Sequence, residues 1–131
     1  MANEAVCIEA PTEFRRVTVA DGGAIPLYSL MQLSGDNTAT ISDGANVFAG
    51  IAYEEKTASD GITELTLAID GVWDMKDAGA SITLGGIASL NGVNLIKQAT
   101  EAEMVTGAIV GKVFETAAAS EVVRVHVGRF A

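Results

Sequence analysis

The alternation of apolar and polar positions marks most of this chain as β-strand. Ile62 to Ile69 (ITELTLAI) alternates with period two, placing Thr63, Leu65, Leu67 and Ile69 on one face and Ile62, Glu64, Thr66 and Ala68 on the other. Glu121 to Val127 (EVVRVHV) repeats the pattern, with Val123, Val125 and Val127 on one side and Val122, Arg124 and His126 on the other. Val47 to Tyr53 (VFAGIAY) is a nearly unbroken apolar run, as expected of a strand covered on both faces. Further strands are expected at 17–19, 27–33, 38–41, 71–75, 93–97 and 108–115. Turn chemistry such as Asp21-Gly22-Gly23, Ser34-Gly35-Asp36-Asn37 and Ser42-Asp43-Gly44 separates them. Residues 78–91 carry both helix formers and glycines, and the expectation there is a short helical turn or loop near 79–84. A second helical turn is expected at Glu101–Met104. The pattern predicts an all-β fold, a small antiparallel β-barrel or sandwich with one or two short helical turns.

Residues 1–16 show no sustained period. Pro11, three glutamates and the pair Arg15-Arg16 give them a different composition, and they are expected to form an extended N-terminal arm ahead of a domain at 17–131. Within that domain two stretches echo each other. Ala49-Gly50-Ile51-Ala52-Tyr53, a loop with Ala58-Ser59 and an alternating strand ending at Gly71 match Val110-Gly111-Lys112-Val113-Phe114, Ala119-Ser120 and a strand ending at Gly128. Each stretch reads as a β-hairpin with one apolar face, and neither would be stable alone.

Composition narrows the function. The chain has 131 residues, about one domain, and is 49% hydrophobic but only 5% aromatic, so its core is built from Ala, Val, Ile and Leu. The net charge of −9 argues against nucleic acid as a partner, because phosphate neutralisation by Lys and Arg supplies most of that affinity. A single cysteine, Cys7, forms no internal disulfide. The N-terminus carries no basic-then-apolar leader and no run is long enough to span a bilayer, so the expectation is a protein made in the cytoplasm with no membrane partner.

Catalytic candidates are sparse. One His (His126) and one Cys fall short of the four N or S ligands of a structural zinc site, and no cofactor or metal is expected. Cys7 and His126 stand at opposite ends of the sequence, without the local signature of a nucleophilic pair. The carboxylate pairs Glu54-Glu55, Asp74/Asp77 and Glu101/Glu103 lie beside loops and read as solvated surface. The glycine-rich pieces lack phosphate-cradling spacing. No catalytic residue is assigned, and the chain reads as a non-enzyme. Trp73 reads either as core packing or as an interface anchor.

The stretches VFAGIAY, LTLAIDGVWDM, ITLGGIASLNGVNLIKQA and GAIVGKVFETAAASEVVRVHVG resemble the head decoration, or capsid cement, proteins of tailed double-stranded-DNA phages. The likeness runs from Ile25 to Gly128 and rests on hydrophobic patterns with glycines. It implies an all-β virion protein on the outer capsid surface. Such a protein binds the major capsid protein of an expanded shell as a homotrimer at three-fold positions. On this reading Glu4, Val6, Ile8, Phe14, Arg15 and Arg16 form a capsid-binding arm, and Trp73, Met75, Arg124 and His126 contribute to a subunit interface. The alternative is a small carbohydrate- or receptor-binding β-barrel of a phage fibre or tail.

Overall fold

The computed structural model describes residues 3–128. Eleven strands and one short helix follow one another along this part of the chain. They are β1 (Val6–Glu9), β2 (Phe14–Thr18), β3 (Leu30–Gly35), β4 (Thr38–Ile41), β5 (Phe48–Ala52), β6 (Glu64–Ala68), β7 (Gly71–Asp77), β8 (Ile87–Leu90), β9 (Leu95–Gln98), α1 (Glu101–Thr106), β10 (Ile109–Val113) and β11 (Val122–Val127). The all-β expectation holds. The helical turn expected at Glu101 is α1, started by a capping box in which the Thr100 hydroxyl accepts from the Glu103 N–H while the Glu103 carboxylate accepts from the Thr100 N–H. Residues 79–86 are not helical; they hold an isolated bridge from Ile82 to Ala117.

The strands form two barrels rather than one. β2, β4, β3, β5 and β6 close on themselves in that order. β7, β11, β10, β8 and β9 form a second ring, since β9 returns to pair with β7. Most neighbours are antiparallel, but β2–β4 and β7–β9 are parallel. β1 lies beside β7 as an added strand.

The second barrel repeats the first in register. Val17 opposite Leu65 corresponds to Met75 opposite Val123, and Thr18 beside Thr38 to Lys76 beside Leu95. Met31 opposite Ile41 corresponds to Ala88 opposite Gln98, and Ala52 opposite Leu67 to Val113 opposite Val125. The isolated bridge Ile25–Lys56 has its counterpart in Ile82–Ala117. The echo in the sequence is therefore the trace of a duplicated five-strand unit, and its glycines have a common cause. A Cβ on Gly50 would lie 2.9 Å from the Ala68 carbonyl, and one on Gly111 would run into the His126 carbonyl. In both barrels the fourth strand of the unit approaches its hairpin partner too closely for a side chain.

Val17, Val19, Ile25, Met31, Leu65 and Leu67 fill the first barrel. A second apolar cluster fills the other barrel with Met75, Ala88, Val110, Val123 and Val125, and continues into Leu30, Ile51 and Ala68 on the outside of the first. The second cluster is thus shared by the two barrels, while the first belongs to the first barrel alone. Across the junction, the Leu30 N–H donates to Asn94 Oδ1 at 2.8 Å and the Ser42 hydroxyl donates to the Gly92 carbonyl at 2.9 Å. The Phe48 N–H donates to the Gly107 carbonyl at 3.0 Å.

The structure corrects the arm. Residues 3–16 belong to both barrels: β1 pairs with β7, β2 is a barrel strand, and Ala5 is buried in the shared core with its N–H donating to the Tyr28 carbonyl. The expected boundary at 16/17 falls inside β2. Two short strands, whose main partners lie about sixty-five residues away for β1 and about fifty for β2, leave no local period to read. Residues 129–131 of the expected domain lie outside the described residues.

Candidate interaction surface

Trp73 and Met75 do not face a partner subunit. Both point into the protomer's own core and are 0% and 1% exposed. The Trp73 indole meets Tyr28 at a centroid distance of 5.1 Å and Tyr53 at 6.4 Å, and its N–H donates to the Asp70 carbonyl at 3.0 Å. Core packing at the barrel junction wins because one large aromatic buries more apolar area than the small residues around it.

Arg124 and His126 lie on the outer face of the second barrel, as the alternation of β11 dictates. Val6, Asp74 and Arg124 stand side by side across β1, β7 and β11. Arg124 Nε bonds Asp74 Oδ1 at 3.1 Å, and that carboxylate keeps the guanidinium pKa raised. The next row runs Glu9, Val72, His126, Lys112. The His126 imidazole stacks on Phe114 at 3.9 Å and 14°, and Lys112 Nζ lies 5.7 Å from the same ring. Phe114 is 54% exposed and Leu84 63% exposed, and both line one shallow hollow with Lys112. The face is amphipathic, aromatic at its centre with charges of both signs around it, Lys112 and Arg124 against Glu9, Asp74 and Glu115.

The former arm residues divide between two places. Val6 and Ile8 are exposed on β1, and Glu4 is half-buried ahead of it. Phe14, Arg15 and Arg16 are exposed on β2, where Phe14 leans on Tyr53 at 5.2 Å. Arg16 is engaged within the chain, with Nη1 3.4 Å from Glu54 and Nε 3.3 Å from Glu64. Hydrogen bonds from Thr66 hold the Glu54 carboxyl below its ordinary value, with Arg16 adding to the effect. Beside β2 the strand position that β1 fills on β7 has no occupant among the described residues, since β4 reaches only Thr18.

The other ionisable residues brace loops. Lys56 is buried, with Nζ 2.7 Å from Asp60, 3.1 Å from Asp21 Oδ1 and 2.7 Å from the Asp21 carbonyl. Burial pulls its pKa down, but the bonds to Asp60 and Asp21 outweigh this and leave it raised. Asp60, bonded first by Lys56 and then by the Ile62 and Thr57 N–H groups, is held far below the usual carboxylate range. Nothing in the sequence pattern singled out Lys56, whose counterpart in the second barrel is Ala117. Glu103 accepts from Lys97 at 2.6 Å; burial raises its pKa, and the bonds from Lys97 and Thr100 more than reverse that.

Cys7 and His126 point to opposite faces of the sheet, Cys7 toward the core and His126 outward. Burial pushes the Cys7 thiol pKa up, away from the reactive thiolate. Asp74 is half-exposed beside Arg124 whereas Asp77, three positions on, is buried on the other face. Among the described residues no group of three or more His, Cys, Asp or Glu side chains is placed to hold a metal, and no helix is long and apolar enough to cross a membrane. Compared with known proteins, the chain matches no family model and no curated sequence.

Proposed function

We propose that this protein is a structural component of a phage virion, a decoration protein that binds the outside of an expanded capsid and stabilises it without catalysis. The observation that carries the reading is a double barrel with a strand position beside Phe14–Arg16 that no described residue occupies. A second strand edge of the same geometry is filled by β1. An extended segment of the major capsid protein adding to β2 would gain main-chain hydrogen bonds, and exposed Phe14 would give it an apolar anchor. Phe14–Arg16, first read as part of an extended arm, would then supply a preformed edge, which lowers the ordering cost of binding.

One thermodynamic consequence and one further feature accord with the reading. Ligation to the expanded shell and not to its precursor would stabilise the expanded form by mass action. A net charge of −9 keeps the surface from adsorbing nucleic acid. The direct test mixes purified protein with expanded shells lacking decoration and with unexpanded precursors. Stoichiometric co-sedimentation with expanded shells alone is expected. Absence of added density on expanded shells by electron cryo-microscopy would remove the proposal.

A further inference from the structure

The two barrels are packed head to tail, and this leaves each with one uncovered half of the same contact. At the junction the first barrel presents Tyr28, Leu30, Phe48, Ile51, Tyr53 and Ala68. The strand register maps these onto Gly85, Ile87, Ile109, Lys112, Phe114 and His126 of the second barrel. Leu30, Ile51 and Ala68 are fully buried, whereas Ile87, Lys112 and His126 are only partly covered and Phe114 is exposed. The second barrel presents the other half of the junction through Trp73, Asn94 and Gly107. Their counterparts in the first barrel are Arg15, Asn37 and Asn46, all exposed. A two-fold arrangement would have buried both sets equally; the chain buries one of each.

We infer that this protein associates with further copies of itself by repeating its internal junction, the Ile87–Phe114–His126 face of one copy seating on the Arg15–Asn37–Asn46 face of the next. The occupant is argued from continuity: each free face is a structural copy of a face already mated within the chain. Asn37 has the backbone conformation of Asn94, with φ of 50° against 56°. Its side chain is therefore set to accept from the Ile87 N–H of the neighbour, as Asn94 accepts from Leu30. The Ile109 N–H would donate to the Asn46 carbonyl, as Phe48 donates to Gly107. Where Tyr53 meets Trp73, Phe114 would meet the Arg15 guanidinium, a cation–π pair.

A contact between unlike faces propagates, so it yields a ring when the rotation closes and a filament when it does not. The internal junction is already one step of that rotation, and a ring of n copies contains twice n barrels in quasi-equivalent positions. Such a ring would supply the self-association expected of a decoration protein, yet the inference stands on the duplication alone and can fail while capsid binding holds.

The test uses the full chain with Cys7→Ser and two single-cysteine forms, Arg15→Cys and Phe114→Cys. Mixed and oxidised, the two forms are expected to cross-link to each other and neither to itself. A form carrying Glu55→Cys is expected to remain unlinked to both. Sedimentation velocity on the unaltered chain is expected to show a concentration-dependent oligomer that Phe114→Asp and Arg15→Glu each dissociate. Circular dichroism checks that these surface variants fold. A monomer at every concentration up to about 1 mM, where even a contact of about −4 kcal/mol would be half formed, overturns the inference. So does cross-linking of Phe114→Cys only to itself, or an oligomer indifferent to both charge variants.

Discussion

Tyr28 of the first barrel and Trp73 of the second meet edge to face, 5.1 Å apart, and seal the junction between two copies of one folding unit. The contact makes the halves interdependent. Trp73→Ala removes the largest fully buried side chain and should lower unfolding free energy by about 3–5 kcal/mol, with Trp73→Phe costing less. Urea titration followed by circular dichroism measures both. A single cooperative transition is expected in each, since one apolar cluster spans both barrels.

Asn94 and Asn37 offer a matched comparison. Substitution by glycine keeps the left-handed backbone free of strain and removes only the side chain. Asn94→Gly leaves the buried Leu30 N–H without its acceptor and should cost about 1–3 kcal/mol. Asn37→Gly, on an exposed turn, should change the stability of the isolated protomer by less than about 0.5 kcal/mol. Equal losses in thermal melts at low protein concentration would contradict the difference in burial.

Gly111 tests the duplication. Gly111→Ala drives a methyl into the backbone of β11 at His126 and should destabilise by about 2 kcal/mol or more. Gly50→Ala should do the same in the first barrel against Ala68, on a backbone whose φ of 148° already disfavours a side chain. Gly22→Ala meets nothing within 4 Å and serves as the control. The two damaging substitutions should shift the urea midpoint, and the third should not.

Acid should weaken the fold through its bonded carboxylates. Asp60, Asp70, Glu54 and Glu103 all have folded pKa values below their ordinary ones, which are 3.8 for Asp and 4.5 for Glu. In that window the unfolded chain binds more protons, so stability rises with pH. Their contribution is complete above the ordinary values and is lost as pH falls below them toward the folded ones. Urea midpoints should be level near neutrality and decline as pH drops below about 4.5. Asp60→Asn should flatten part of that decline while lowering stability at pH 7.

Much of this architecture was legible in the sequence. The alternation at 62–69 and 121–127 gave β6 and β11, Thr38–Ile41 is β4 as expected, and the echo around Gly50 and Gly111 marked the duplication. What escaped reading was what depends on distant partners. Val6–Glu9 is a strand only because β7 lies beside it, and Trp73 is core only because Tyr28 and Tyr53 come from the other barrel. Of the interface residues read from the sequence, Arg124 and His126 reach an outer face and Trp73 and Met75 do not. Parity along a strand separates inside from outside, but at a junction of two barrels the outside of one becomes the interior of the pair.

The placement of β1 sets the order in which the molecule can be finished. Val6 leaves the ribosome well before its partner Asp74, which is made nearly seventy positions later. The opening segment must therefore wait, unpaired and carrying apolar Val6 and Ile8, while the first barrel closes beside it. Only the second barrel gives it a home, so a segment synthesised before either barrel is among the last to settle, and the long loop it closes should make that final docking the slow step of folding.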